Sequence, residues 1–503
     1  MPSNSGKVYL VGAGPGDPGL LTLRGAECLR EADVVLYDYL AGPELLYSTR
    51  ADAELVCLGR HGHGRLMPQS EINERMVREA RAGKRVVRLK GGDPAIFARL
   101  AEELSALEAA GVAYEIVPGV TAAQAASSHA GIPLTNRDDA SCVAFVAGQE
   151  RGDKRSDEEL DYAALAQFPG TLVFYMGLTT APKWSRELMS HGKSAYTPVA
   201  IVRRCTFADQ QTIFTTLGGV EEHLGPGKLR PPAVVIVGAV ARARALDNWF
   251  TSRPLFGETV LVTRPAHQAD VMVSKLSALG ADVLYQPAIE ISEPADWGPV
   301  DAVIAELADF DWLVFSSSNG VEYFFRRLFA LGHDVRAIGS SKLAAIGPAT
   351  VEALAAYHLT ADVSPSAYRA EDLADALAPL AGGKRFFLAR ASRGREVLAE
   401  RLTAAGGIVR QAVVYQSADV MTPNSEVVEA LEAGKIDWIT VTSSAIARSL
   451  VNLFGDALRK TKLVAISPVT AEVLHGLGHP AATVAATYTG DGILNAILAA
   501  KAD

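Results

Sequence analysis

The sequence predicts an α/β protein in two halves, and three observations carry that prediction. Apolar, β-branched runs alternate with helically spaced segments from end to end. One strand-like run finishes before Ala245–Gly257 and a fresh one starts after it. Beyond that boundary the chain repeats itself, which reads as two similar α/β lobes with a cleft between them as the default binding site.

In order, Val8–Val11 is a strand ahead of a glycine-rich loop, Thr22–Glu31 has helical spacing, and Val34–Tyr37 returns to strand. Later strands are Arg85–Leu89, Val143–Ala147, Thr171–Tyr175, Val199–Val202 and Ala233–Val237, and Arg151–Glu159 is a polar surface loop. Strand and helix in alternation imply largely parallel sheets. The expected division is residues 1–246, a linker 247–257 and a second half 258–503, opening on the strand Thr259–Thr263. The linker is short and holds Trp249 and Phe250, so it should lie against one domain rather than swing freely. Within the second half, Asp311–Ser318 matches Asp437–Ser444, Lys342–Thr350 matches Lys462–Thr470, and Val260–Gly280 with Arg264 matches Phe386–Gly406 with Arg390. One such period is too long for a solenoid.

A chain of 503 residues, 49% apolar and 21% charged, can fill several cores and is not disordered. Its formal charge of -9 argues against a general nucleic-acid binder. Anionic small molecules stay open, since local N–H groups and a few arginines hold them. The four cysteines, Cys28, Cys57, Cys142 and Cys205, form no C-x-x-C pair, which points to a reducing compartment, the cytoplasm, and away from disulfides or zinc ribbons. No apolar run reaches membrane-spanning length, and no signal-peptide core follows the N-terminus.

Three strand ends in the first half carry chemistry. Val11–Pro18 has Gly12, Gly14 and Gly16, but Asp17 stands where a dinucleotide fingerprint needs its third glycine, so NAD is not expected. Val86–Pro94 runs into Gly91-Gly92-Asp93, a turn whose N–H groups suit a carboxylate and whose acid suits an ammonium, as in an amino-acid moiety. Val117–Ala123 offers the hydroxyl of Thr121. Each is also what a plain connection looks like. Three together at carboxyl ends of strands favour a site.

These residues carry a resemblance. Gly12–Leu23, Ala32–Asp38, Pro68-Gln69 with Ile72-Asn73, Arg88–Pro94, Val117–Ala122, Gly131–Thr135, Thr171–Gly177 and Pro231–Gly238 resemble the tetrapyrrole methylases, within them the uroporphyrinogen-III C-methyltransferases. The resemblance implies a methylase fold of two α/β subdomains, S-adenosyl-L-methionine as methyl donor, S-adenosyl-L-homocysteine as product, and a homodimer through this half. It puts the cofactor on Pro15, Gly91, Gly92, Asp93, Ile96, Thr121, Ala122 and Met176, and a proton acceptor on Asp38. Cys205 takes the place of a cofactor-lining glycine, and Ala98 and Leu100 replace small residues. The family's proton-donating lysine falls on Arg60, a poor general acid because arginine stays protonated. Arg60 then acts through charge, or His61 or His63 gives the proton; with no third ligand at suitable spacing, no metal is expected.

The second half resembles the uroporphyrinogen-III synthases in Val262–Pro265, Ser316–Val321, Ala345–Leu354, Leu388–Arg390 with Gly394-Arg395, Val413–Tyr415, Thr442–Ser444 and Ile466–Leu474. The resemblance places functional groups on Thr350, Tyr415 and Thr470, with Tyr415 helping a terminal hydroxyl leave. Hydroxyl-rich loops at helix starts suit a polycarboxylate substrate, although ordinary N-caps look the same. Together the two resemblances imply a bifunctional enzyme acting on hydroxymethylbilane and uroporphyrinogen III, without nucleic acid or membrane. It would close the first to the second with ring D inverted, then methylate carbons 2 and 7 to precorrin-2. Two alternatives stay open: a methylase for a later corrin precursor, and a second half that binds tetrapyrrole without turnover. Whether the product serves cobalamin or sirohaem is left open.

Overall fold

Residues 6–38, 41–50, 52–59, 66–149, 159–242, 248–366, 368–394 and 396–502 are described by the computed structural model. They form two units, divided between Gly257 and Glu258.

The first unit has two sheets. Strands β1 (Lys7–Gly12), β2 (Val34–Tyr37), β3 (Glu54–Cys57), β4 (Arg85–Lys90) and β5 (Ala113–Val117) form a sheet of order β3-β2-β4-β1-β5. All its pairings are parallel, as strand–helix alternation demands. The helix Leu23–Glu31 begins at Thr22, whose hydroxyl accepts from the Gly25 N–H. Val11, Leu29, Val35, Val87 and Leu89 fill one face of the sheet; Val8, Leu10, Leu36, Met76, Val86 and Leu107 fill the other.

The second sheet joins β6 (Val143–Ala147), β7 (Thr171–Tyr175), β8 (Pro198–Arg203), β9 (Gln211–Thr216) and β10 (Ala233–Val237) in the order β6-β7-β10-β8-β9. Here the expectation of largely parallel strands fails. Only β6 and β7 run parallel; β10 is antiparallel to β7 and β8, and β8 to β9. For β8 and β9 the cause is local: only a short turn (Arg204–Gln210) separates them, too short for a crossover helix, and it forces a hairpin. The segment Asn248–Gly257 lies within the first unit: Trp249 donates to the Ser128 carbonyl and Phe250 is buried against His129.

The second unit consists of two lobes, and the sequence repeats are not the lobes. Strands β11 (Thr259–Val262), β12 (Asp282–Tyr285), β18 (Trp438–Val441), β19 (Lys462–Ala465) and β20 (Thr483–Val484) make one sheet, β12-β11-β18-β19-β20. Strands β13 (Ile289–Ser292), β14 (Trp312–Phe315), β15 (Lys342–Ala345), β16 (Arg385–Ala391) and β17 (Ile408–Asp419) make the other, β13-β17-β16-β14-β15. Each lobe takes its first two parallel strands from one repeat and its next two from the other. The chain passes between lobes at β13 and at the end of β17, which pair antiparallel through Ile289–Ser292 and Gln416–Asp419.

Candidate functional site

In the first unit the carboxyl ends of the parallel strands meet as three backbone loops. After β1, the Ala13 N–H donates to the Lys90 carbonyl at 2.7 Å, and Gly14 and Gly92 exchange N–H···O bonds at 3.2 and 2.7 Å. A Cβ on Gly12 would stand 2.6 Å from Gly119 and 2.7 Å from the Gly92 carbonyl, so only glycine permits this approach. Asp93 clips the second loop to the third: its carboxylate accepts from Ala95 N–H at 2.7 Å and Gly119 N–H at 3.0 Å. Ile96 closes the same turn by donating to the Asp93 carbonyl. Gly92, at φ +69°, faces Thr121 and Ala122, whose backbone atoms lie 3.8 Å from where its Cβ would be. Thus Gly91, Gly92, Asp93, Ile96, Thr121 and Ala122 are brought together around the start of the helix Ala122–Ala130.

Met176 and Cys205 enter from the second sheet's side, and Pro15, in the loop after β1, meets that side at Thr206. Met176 follows β7, half exposed at φ +52°. The Thr206 hydroxyl donates to the Pro15 carbonyl, and its Oγ1 accepts from Asp17 N–H at 3.1 Å. Cys205 is buried in an apolar cluster with its Sγ 4.0 Å from the Ala122 carbonyl, and burial pushes its thiol up to about 12. Five non-glycine residues with left-handed backbone, Phe97, Arg99, Met176, Arg204 and Thr206, occupy loops at this end. Such strain persists where the surroundings over-determine it, characteristically at ligand sites.

Sequence reasoning missed two groups. Tyr175 ties the halves of the site: its hydroxyl shares a hydrogen with Thr121 Oγ1 at 2.7 Å, accepts from Ala123 N–H at 2.9 Å, and stays protonated because burial raises its pKa. The second group is a buried ionic network. Glu103 is 0% exposed; it binds Lys90, accepts from Arg88 at 3.2 Å and from Gln69 at 3.2 Å. Arg88 reaches Asp38 at 3.6 Å. Burial pushes the Lys90 ammonium below its usual range, with Glu103 opposing that shift. The signal was visible: Arg88 and Lys90 are two cations at alternate positions, on one face of a strand whose other interior residues, Val86, Val87 and Leu89, are apolar. Arg60, His61 and His63 lie outside the described residues.

In the second unit, Tyr415 sits where β16 and β17 shift register at Ala391, a bulge that re-aims its side chain. Its hydroxyl lies 3.1 Å from that of Ser317, which caps the helix Ser318–Ala330 by accepting from Gly320 N–H. Burial raises the Tyr415 pKa, keeping it a proton donor. Thr350 and Thr470 each lie in the first turn of a helix after a strand, Pro348–Ala355 and Pro468–Gly476. Both are buried, at 3% and 2% exposure, and Thr470 Oγ1 lies 3.2 Å from Ser467 Oγ. Among the described residues no cluster of His, Cys, Asp or Glu could hold a metal ion, and no helix is long and apolar enough to cross a membrane.

Comparison with known proteins decides the family. Residues 7–221 match the Tetrapyrrole (Corrin/Porphyrin) Methylases, and residues 270–495 match Uroporphyrinogen-III synthase HemD. The chain is 32% identical over 469 residues to the porphyrin biosynthesis protein HemD of Ruminiclostridium josui, a match covering 93% of each. The chain belongs to both families, fused. It is also 37% identical over 353 residues to the uroporphyrinogen-III C-methyltransferase of Bacillus subtilis, covering 70% of this chain and 72% of that one. It is similar as well to the Thermus thermophilus uroporphyrin-III C-methyl transferase crystallised with S-adenosylhomocysteine, at 40% identity and TM-score 0.41 over 47% of this chain and 99% of that one. In the methylase unit, the glycine loops, the Asp93 clip and the Glu103 network converge on the ends of β1, β4 and β5. In the synthase unit, each lobe carries one of the two buried threonines.

Proposed function

We propose that the synthase unit closes hydroxymethylbilane to uroporphyrinogen III, and that the methylase unit methylates this product at carbons 2 and 7 to precorrin-2. The observation that carries the methyl-transfer reading is the bridge between Gly14 and Gly92 facing Thr121 and Ala122. That cradle fits an amino-acid moiety. Gly92 carries no side chain over the first turn of the helix Ala122–Ala130, and the early N–H groups of that helix favour an anion. S-adenosylmethionine, when bound, supplies an electrophilic sulfonium methyl. Pro15, Gly91, Gly92, Asp93, Ile96, Thr121, Ala122 and Met176 would hold it, with Cys205 packed behind Ala122.

Asp38 acts as the proton acceptor. It stands at the end of β2 with Arg88 3.6 Å away, an ion pair that ties it to the Glu103 network. Arg60 would supply positive charge near the substrate. In the synthase unit, Tyr415 donates to the leaving hydroxyl, supported by its burial and its place at a helix N-terminus. Thr350 and Thr470 position the helix starts that receive carboxylates, one in each lobe. Much of the catalysis is orientation, because closure requires the two ends of a flexible chain to meet.

A homodimer through the methylase unit and a cytoplasmic location, consistent with four free cysteines, complete the reading. One assay tests it: the whole protein with hydroxymethylbilane and S-adenosylmethionine, its products resolved by mass and isomer. Dimethylated type III product is expected. Absence of ring closure leaves the second unit a binding module; methylation only of a later precursor reassigns the first.

A further inference from the structure

We propose that Tyr368 and Tyr488 form an aromatic clasp between the two lobes of the synthase unit and are positioning residues for ring closure. The inference rests on the synthase reading and extends it to residues no motif marks. The two rings meet edge to face, centroids 6.2 Å apart and planes at 89°. Tyr368 precedes the helix Ala370–Leu377 and Tyr488 precedes Gly490–Ala502, one helix in each lobe. The pair is separated in sequence by the same interval as Lys342 and Lys462, which begin β15 and β19. The local pairing agrees: Ala344 bridges Val363 in one lobe as Val464 pairs Thr483 in the other. Tyr368 and Tyr488 are therefore equivalent positions, and each touches its own counterpart. Residues that do so mark the line on which two repeated lobes face each other.

That line runs beside the helix starts already in question. A Cβ on Gly347 would stand 3.0–3.1 Å from the Tyr368 ring, so this ring covers the residue that opens the helix bearing Thr350. The equivalent position in the other lobe is Ser467, which caps the helix bearing Thr470. The clasp is poorly suited to a purely structural role. Tyr368 remains 40% and Tyr488 44% exposed, so a large part of each side chain stays open to solvent instead of filling a core. The lobes are already joined covalently at β13 and β17. What two accessible rings on this line do offer is a contact across the lobe boundary that can open and close. Parting the rings admits the linear substrate; closing them confines its folded form while the ends join. Closure without inversion, which gives the type I isomer, needs no such confinement.

The test uses the whole protein carrying Tyr368→Ala, Tyr488→Ala or both, with Tyr→Phe at each position. Each alanine variant should lower kcat/KM for hydroxymethylbilane by about twofold to tenfold, the range an aromatic pair supports, and raise the type I share. Because one contact is lost in every case, the double variant should be no worse than the poorer single one. The phenylalanine variants should keep rate and isomer purity, since the rings and not the hydroxyls meet. Methylation of supplied uroporphyrinogen III should not change. Alanine variants with wild-type rate and purity would overturn the clasp, as would additive losses, or losses that phenylalanine does not repair. A wild-type protein that forms no type III isomer would instead overturn the synthase reading.

Discussion

Glu103→Gln should be among the most damaging single substitutions in the methylase unit. The carboxylate is fully buried and holds Lys90, Arg88 and Gln69, while Lys90 and Arg88 are themselves buried. Removing its charge leaves two buried cations facing Asp38, which lies 3.6 Å from Arg88. Breaking a buried pair from one side costs about 3–5 kcal/mol. For a unit of this size 1 kcal/mol moves Tm by about 2–4 °C. The expected fall is therefore about 6–20 °C, against a total stability of about 5–15 kcal/mol. The deficit has a pH signature. The Lys90 pKa lies below its unfolded value because burial disfavours the ammonium, and losing Glu103 depresses it further. The unfolded chain then binds more protons than the folded one, so stability rises with pH across that window. The variant should regain part of its loss between pH 7 and pH 9.5. Thermal melts at both pH values, with methylation and synthase rates measured after heating, check this. A variant melting within about 2 °C of the parent at pH 7, with methylation intact, would refute the claim that the network supports the site.

Three further outcomes follow from the geometry. Asp93→Ala removes the acceptor of the Ala95 and Gly119 N–H groups, so S-adenosylhomocysteine affinity by calorimetry should fall by about 1.5–3 kcal/mol with synthase activity unchanged; unaltered affinity would remove the clip from the site. Glu115, bound by Lys7 and Arg24, is held at about 2 against an ordinary 4.5, so its contribution is complete above pH 4.5 and is lost as pH falls towards 2; the Tm deficit of Glu115→Gln should close over that window, and a deficit independent of pH would exclude the linkage. Alkylation at pH 8 should modify exposed Cys57 first and spare Cys205, whose thiol lies at about 12; equal rates by peptide mass would contradict its burial.

What the sequence revealed and what it hid divide along a physical line. Parallel strands buried on both faces announce themselves as Val/Leu runs, so β1, β2 and β4 were legible within a residue or two. The glycines at their ends were legible too, because close backbone approach admits no other residue, as the Gly12–Gly119 contact requires. Pairing direction in the second sheet was not: Val199–Val202 and Ala233–Val237 read alike whether parallel or antiparallel, and the short turn between β8 and β9 fixes the direction of that pair alone. The role of Glu103 was hidden for a related reason. On a helix it looks like one of two solvated acids, Glu102 and Glu103, and only packing against β4 shows which is exposed and which sits under two cations. The exchange of halves between the synthase lobes is hidden most deeply. A repeat reports that two stretches fold alike; it does not report which copy supplies each strand of a sheet. That exchange has a functional consequence. Because β13 and β17 carry the chain across in opposite directions and pair with each other, the lobes are joined by a short two-stranded ribbon rather than a broad sheet. A joint of that kind permits the lobes to part, and the tyrosine pair is where such parting would begin.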